Sequence, residues 1–348
     1  MAHLSVAVIG AGPRGLSVCE RLTALAPEYK HPVTIHVIDP YAPGPGRVWD
    51  TEQSPELLMN TTISEQTIFP DDSCDVSPTN TGPSMREWYL ATEGTDDPDT
   101  TFCSRTLYGE YLADAFTRVC ENAPLNVTIQ VHRAQALRIA DPGSPVEVSQ
   151  IVRLSDDTSV TVDAAVLCVG HIPSRLTDER IQLERYAADN DLNYCPPSLP
   201  AETPVDRVPA GETVIFRGFG LNYFDLQALF THGRGGTFVP REPSPDRPGE
   251  CEPWELEYVP SGREPVLAPS SRRGIPYRCK PVTPNHPMKP YPLRFFTEDN
   301  VTKLSSGKLL HFDDQLWPLI LTDLRYAWYA ALYRSRPELF LCDPAPLK

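Results

Sequence analysis

Residues 4–22, reading LSVAVIGAGPRGLSVCERL, constrain this chain more than any other stretch. Residues 4–9 are a short apolar, β-branched run of the kind that forms a buried parallel strand. Gly10-Ala11-Gly12-Pro13-Arg14-Gly15 follows at once, and residues 16–25 then carry apolar side chains at helical spacing. Strand, G-x-G-x-x-G and helix in that order form the context of a dinucleotide fingerprint. Gly10 allows the tight turn, Gly12 lets a pyrophosphate approach the backbone, and Gly15 lets helix and strand pack closely. The helix N-terminus offers free N–H groups and its positive dipole end to the phosphates, which brings Pro13 and Arg14 into the candidate site.

Glycines also occur in ordinary turns, so the next strand matters. Residues 33–38 (VTIHVI) are β-rich and end in Asp39, 24 residues past Gly15. An acid at about 20 residues from the turn holds the ribose hydroxyls of an adenine dinucleotide and disfavours a 2′-phosphate. NADP is therefore the least suited occupant of this first site.

The 348 residues suffice for two modest domains or one large α/β unit, and 41% hydrophobic residues can build a core. A formal charge of −15 repels phosphate, which argues against nucleic acid or an anionic membrane as partner. No apolar run approaches the ~18 residues of a membrane span, and nothing resembles a signal peptide. A soluble, cytoplasmic protein is expected. Nine cysteines occur singly with no C-x-x-C, so neither a zinc ribbon nor a redox dithiol is readable; Cys19 and Cys168 read as small core residues. The 38 prolines cluster at 40–45, 196–209, 240–253 and 281–292, which predicts long, stiff surface connections.

Along the chain, the loop after Asp39 contains Gly46, Arg47 and Trp49 and leads to residues 57–62, LLMNTT. It reads either as a proline-rich loop anchored by its tryptophan or as a loop lying along a ligand. In the second case Asn60 is the best polar candidate, since an amide both donates and accepts, with Thr61 beside it. Residues 104–120 carry an amphipathic helical face, with Arg105 and Tyr108 near its start suited to ligand contact or to packing and capping. Residues 126–132 predict a strand, and 146–154 with 158–162 an antiparallel excursion. A further parallel strand at 164–169 closes on Gly170 and His171.

A second nucleotide-type unit begins with a strand at 213–216, the turn Gly218-Phe219-Gly220-Leu221-Asn222, and a helix at 223–230. The strand after it is followed by Arg241, with Arg234 shortly before. A guanidinium there suits a 2′-phosphate, so this site favours NADP over NAD. A degenerate half kept for packing is the alternative. Residues 261–265 and 270–274 add Arg263, Arg272 and Arg273 in turn-rich surroundings, and 317–333 predict a long packed helix ending before Pro337.

Taken together, VIGAGPRGLSVCERL (8–22), GPGRVW (44–49), LLMNTT (57–62), VLCVGHIP (166–173), IFRGFGLNYFD (215–225) and SGREP…SSRRGIPY (261–277) resemble the bacterial FAD/NAD(P)-binding proteins of the two-dinucleotide-domain flavoprotein superfamily, relatives of the flavin-dependent N-hydroxylating monooxygenases. The resemblance implies an α/β fold: a Rossmann-like FAD-binding domain at 1–175, an inserted Rossmann-like NAD(P)-binding domain at 176–310, and a C-terminal helix at 311–348 packing back on the first. It implies FAD near Gly10, Gly12, Gly15 and Asp39, with Asn60 and Gly170 toward the flavin, and NADPH near Gly218, Gly220, Asn222 and Arg234. It also implies oxygenation of a small metabolite: hydride passes from NADPH to flavin, and one atom of molecular oxygen passes to the substrate. His171 is the one catalytic candidate, with a structural role as the alternative.

Two rivals stand beside that reading, an NAD(P)H-dependent flavin oxidoreductase without oxygen insertion and a non-catalytic FAD-binding subunit. Such flavoproteins usually return late in the chain with a Gly-Asp segment at the flavin, and no Gly-Asp dipeptide occurs here. Either Asp313-Asp314 or another group substitutes, or a partner subunit completes the site, or the protein is a shortened, cofactor-poor one; a homo-oligomer is the other expected partner state.

Overall fold

The apolar run at the start of the chain forms β1 (Leu4–Ile9), buried on both faces from Ser5 onward, as a central parallel strand requires. In the computed structural model, residues 3–71, 74, 76–92, 94–141, 149–241, 256–277 and 292–340 are described. The strand passes through the glycine turn into α1 (Pro13–Tyr29), whose proline sits at its first position, where the missing N–H costs nothing. The chain then returns as β2 (Val33–Ile38). Next come α2 (Met85–Thr92), α3 (Arg105–Glu121), β3 (Val127–His132), β4 (Ala136–Ala140), β5 (Gln150–Leu154), β6 (Ser159–Val162) and β7 (Ala164–Leu167).

Strands β3, β2, β1 and β7 form one parallel sheet in that order, with Ile9 level with Ile38 on one side and Leu167 on the other. On one face α1 and α3 pack Leu16, Cys19, Tyr111, Leu112 and Val119 against Val8, Ile35 and Val37. On the other, the antiparallel sheet β4-β5-β6 packs Val152, Leu154 and Val162 against Ala7, Ile9 and Ile38. This mixed α/β layering with a parallel sheet is the predicted fold class. The excursion between β3 and β7 is also as predicted, although it includes β4, which the sequence reading did not separate, and the predicted start at 146–148 lies outside the described residues. All strands of the parallel sheet end at the same side, where Gly10, Asp39 and Gly170 follow β1, β2 and β7; this is the side where open α/β sheets take ligands.

Beyond β7 the chain forms α4 (Asp178–Asp189), β8 (Thr213–Arg217), α5 (Leu221–Phe230), β9 (Thr237–Pro240), β10 (Leu256–Val259) and β11 (Val266–Ser270). Strands β8 and β11 are parallel, while β9 and β10 pair antiparallel. Phe216 at the end of β8 is buried against Tyr223 and Phe230 of α5, which fixes the second strand–turn–helix unit. Of the proline-rich connections, 40–45 and 196–209 are described; 242–253 and 281–291 lie outside the described residues.

The chain divides into two compact units, Met1–Val282 and Thr283–Lys348. The second holds α6 (Glu298–Ser305) and α7 (Trp317–Ser335). Within it the carboxylate of Asp323, 5% exposed, accepts the backbone N–H groups of Arg294, Phe295 and Phe296. Burial alone would raise its pKa, but those N–H groups outweigh burial and hold it below the usual carboxylate range. The predicted helix at 317–333 is present, but not as a packed one: Leu324 and Trp328 are more than half exposed, and Asp323 is its buried residue. Apolar spacing marked the helix but said nothing about which partner covers its stripe.

Candidate cofactor site

At the first glycine turn the backbone is held by close contacts that only glycine permits. Gly10 has φ +97°, and a Cβ there would lie 2.3 Å from the Cys168 carbonyl oxygen; at Gly15 a Cβ would lie 1.9 Å from the Gly10 carbonyl oxygen. Gly12 differs. A Cβ built on it would meet nothing nearer than the Pro45 carbonyl oxygen at 3.9 Å, so its outer side is open. The loop after β2 closes over the turn: the Gly44 N–H donates to the Ala11 carbonyl at 2.8 Å, and Gly46 packs so closely on Gly12 that a Cβ would come within 2.9 Å of it.

Asp39, 8% exposed, faces this turn. Its Oδ2 accepts the Ala11 N–H at 2.6 Å and its Oδ1 the Tyr41 N–H at 2.8 Å. The carboxylate thus braces both loops at the strand ends, and each oxygen keeps a lone pair for a ribose hydroxyl. That bracing role was invisible in the 24-residue spacing, because it depends on a backbone N–H and not on a side chain.

Helix α1 starts at Gly12 with no side-chain cap and no acidic residue in its first turn. Helices α3, α4 and α6 are capped by Ser104, Thr177 and Thr297. With glycine at the cap position a missing side-chain cap forgoes about a few tenths of a kcal/mol, and an anion at such an end contributes roughly 0.3–1 kcal/mol. A cavity of about 380 Å³ opens beside this end, lined by Pro13, Arg14, Ser17, Thr67, Ile68 and Tyr108. Burial pushes the Tyr108 hydroxyl up to about 12, so it serves as a hydrogen-bond donor across the physiological range.

Other predicted residues divide between paired and open ones. The Arg47 guanidinium forks onto Glu202 at 2.5 and 2.6 Å and reaches the His171 carbonyl at 3.3 Å. Trp49 packs edge-on to Tyr108 at 4.9 Å between ring centroids. Asn60 is exposed, and the Thr61 hydroxyl accepts from Gln66 at 2.6 Å. Gly170 has φ +61° and, among the described residues, no neighbouring atom within 4 Å of its Cβ position, and His171 beside it is exposed.

The second turn repeats the first in outline. Gly218 has φ +132° and its N–H donates to the Ser270 carbonyl at 2.7 Å, tying the end of β8 to β11. Around both Gly218 and Gly220 no atom of another described residue lies within 4 Å of a Cβ position. Helix α5, like α1, starts at a glycine without a side-chain cap or an early acid. Asn222 donates to the Ser198 carbonyl at 3.2 Å. Arg234 is committed elsewhere in the fold: its fork holds the carbonyls of Arg263, Val205 and Val208 at 2.7–2.8 Å and lies over the Phe230 ring. The cations at this turn are instead Arg217, Arg272 and Arg273, which line a cavity of about 690 Å³ with Gly218 and Gly220. Besides Arg47–Glu202, an ion pair from Arg105 to Asp225 at 2.5 Å and a hydrogen bond between His232 and Glu56 at 2.8 Å join this region to the first.

Residues 7–172 match the family described as FAD-NAD(P)-binding. Over 342 residues the chain is 39% identical to the nitrosuccinic acid synthase npaA of Aspergillus oryzae, covering 96% of this chain and 50% of that protein. It is 37% identical over 361 residues to the nitrosuccinate-forming L-aspartate N-monooxygenase of Streptomyces cremeus, covering 96% of this chain and 52% of that one. The chain thus spans about half the length of the curated relatives it matches. Among solved structures, an NADP+-bound cyclohexanone monooxygenase mutant from Rhodococcus sp. Phi1 aligns with 66% of this chain and 37% of its own, at 19% identity and TM-score 0.39. The first glycine turn, its uncapped helix start and the sequence match agree over residues 7–172, the stretch that is similar to the FAD-NAD(P)-binding family.

Proposed function

We propose that this chain carries the cofactor-binding part of an FAD-dependent, NADPH-using monooxygenase that oxidises nitrogen in a small amino acid of the aspartate type. The observation that carries this reading is the pair of strand–glycine–helix units, each with an open glycine face and an uncapped helix start. Two cradles of that kind in one chain suit a flavin and a separate hydride donor. The substrate class rests on the relatives, which are named for L-aspartate N-oxygenation or nitrosuccinate formation.

In this reading Gly10, Gly12, Gly15 and the N-terminus of α1 hold the FAD diphosphate, while Asp39 adds ribose hydroxyls to the two N–H groups it already accepts. Gly218 and Gly220 hold the diphosphate of NADPH. When bound, the flavin supplies hydride acceptance and oxygen activation. The chain contributes position and exclusion of water: Arg47, paired with Glu202, pins the loop over the first turn to the segment after β7. His171 remains the candidate catalytic side chain. The division into an FAD part at 1–175 and a nucleotide part at 176–310 belongs to the same proposal. So does a cytoplasmic setting, which suits the six described cysteines, all free. No helix among the described residues is long and apolar enough to cross a membrane.

The test is incubation of the purified chain with FAD, NADPH, oxygen and L-aspartate, following NADPH loss, oxygen uptake and product mass together. Oxygen uptake matched to NADPH loss, with an N-oxygenated product, is expected. NADPH loss without an oxygenated product would favour a plain flavin oxidoreductase, and no NADPH loss a cofactor-binding role alone.

A further inference from the structure

Two imidazoles meet across the carboxyl ends of β2 and β3. Val33, Ile35 and Val37 of β2 pack toward α1 and α3, so strand alternation puts Thr34 and His36 on the other face with Ile38. His132 closes β3 level with Ile38 and shares that face. The Nδ1 of His36 lies 3.0 Å from the Nε2 of His132, with the ring centroids 5.2 Å apart. Nitrogen thus faces nitrogen: one ring donates an N–H and the other offers its lone pair. A single proton between the two nitrogens satisfies both, whereas a proton on each makes two facing donors and two like charges. Both rings are half-buried, and exposed His3, bonded to Thr34 at 2.9 Å, adds a third imidazole to the row. Burial, then His132 and His3, push the His36 pKa below its ordinary value. From the antiparallel layer, Val152, Leu154 and Val162 pack on this face of the sheet. Asp156, exposed in the turn after β5, feels the charge of His132, but its Oδ1 already accepts the N–H and hydroxyl of Thr158. Among the described residues the histidines in contact with a carboxylate are His232 and His311, so neither ring of the pair has an anion to offset a second proton.

The pair adjoins the carboxylate of the first glycine turn. The His132 carbonyl accepts the Asp39 N–H at 3.1 Å, and Asp39 in turn holds the Ala11 N–H at 2.6 Å. Strand β3 is an edge strand, held in its sheet from the β2 side. Resting on the reading of the first turn as the FAD site, we propose that His36 and His132 are positioning residues for Asp39: their shared proton holds the ends of β2 and β3 together, and a second proton parts them, turns Asp39 from the turn and weakens FAD. The direction follows from the His36 shift. Its folded value lies below that of an unfolded histidine, about 6.5, so the pair's contribution is complete above about pH 6.5 and is lost as pH falls below it.

Two readouts on the full chain, each taken at about pH 8 and about pH 5.5, test this. FAD affinity, followed by flavin fluorescence, should weaken by about tenfold over that interval in the unmodified chain. His132→Gln offers His36 an amide that takes no proton. It should bind FAD within about twofold of the unmodified chain at the higher pH and keep that affinity at the lower one. Without FAD, the hydrogen-exchange protection of the Asp39 N–H should fall on acidification in the unmodified chain and hold in the variant. His3 and His171 are present in both proteins, so an effect carried by them appears in both. Should His132→Gln not fold, His36→Gln makes the same test from the opposite ring. An acid loss of affinity equal in variant and unmodified chain, or Asp39 protection that ignores pH in the unmodified chain, overturns the positioning role alone. No FAD bound by the unmodified chain at the higher pH overturns the reading of the turn, and the positioning role with it.

Discussion

A valine at Gly15 would push its Cβ to within 1.9 Å of the Gly10 carbonyl oxygen, whereas at Gly12 the nearest protein atom stands 3.9 Å away. The two substitutions should therefore fail in different ways. Gly15→Val cannot be accommodated without moving β1 from α1, and loss of soluble folded protein is expected, read by circular dichroism. Gly12→Val keeps φ −68° and ψ −169°, an extended conformation that valine adopts readily, so its fold should persist. It should lose FAD, because its methyl groups occupy the space left for a diphosphate. A folded Gly12→Val variant that binds FAD as tightly as the unmodified chain would show that the open face serves some other purpose. These glycines were legible from spacing alone, since a turn that tight has few solutions. The company kept by Arg47 and Arg234 was not. Glu202 lies 155 residues from Arg47, and the carbonyls that occupy Arg234 belong to loops with no pattern of their own.

Among the elements, β1, α1, β2, α3 and β8 followed from apolar period; the ends of β1, β2, α3 and β8 match the predicted ones to within a residue, while α1 extends three residues earlier and four later than the period at 16–25. Elements such as β4, α4 and β11 were missed, because short or polar segments carry too little period to stand out. What joins these elements is charge. Arg105 at the start of α3 donates to Asp225 of α5 at 2.5 Å and to the Leu58 carbonyl at 3.2 Å. Burial raises the Asp225 pKa, with Arg105 pulling the other way. Arg105→Met removes that opposing pull, so the folded value rises further above the unfolded one near 3.9. Stability that depends on a protonated Asp225 is complete below the unfolded value and is lost as pH climbs through the folded value. The variant should therefore cost about 2 kcal/mol at pH 7, from stranding a half-buried carboxylate, and less near pH 4. Urea unfolding at the two pH values reads the difference; an equal cost at both would show that the pair contributes packing and not charge.

Across the whole molecule, the layers of the first unit place the ends of β1, β2 and β7 together, and the loop carrying Gly44, Gly46 and Arg47 folds over them. The second strand–turn–helix unit is tied to the first region by Arg47–Glu202, Arg105–Asp225 and the His232–Glu56 hydrogen bond. In the proposed function a hydride donor and its acceptor meet in one geometry, and polar clasps between the two turn regions would serve that need. The α/β class and the two turns were readable because each rests on local backbone chemistry; the clasps were not, because each depends on how distant segments are brought together. All of it depends on the first turn being a diphosphate cradle. The most direct test is a titration of the purified chain with FAD, followed by flavin absorbance and fluorescence, with the Gly12→Val variant alongside. One FAD bound per chain, and none by a folded Gly12→Val, is the predicted result. No FAD taken up by the unmodified chain would contradict it.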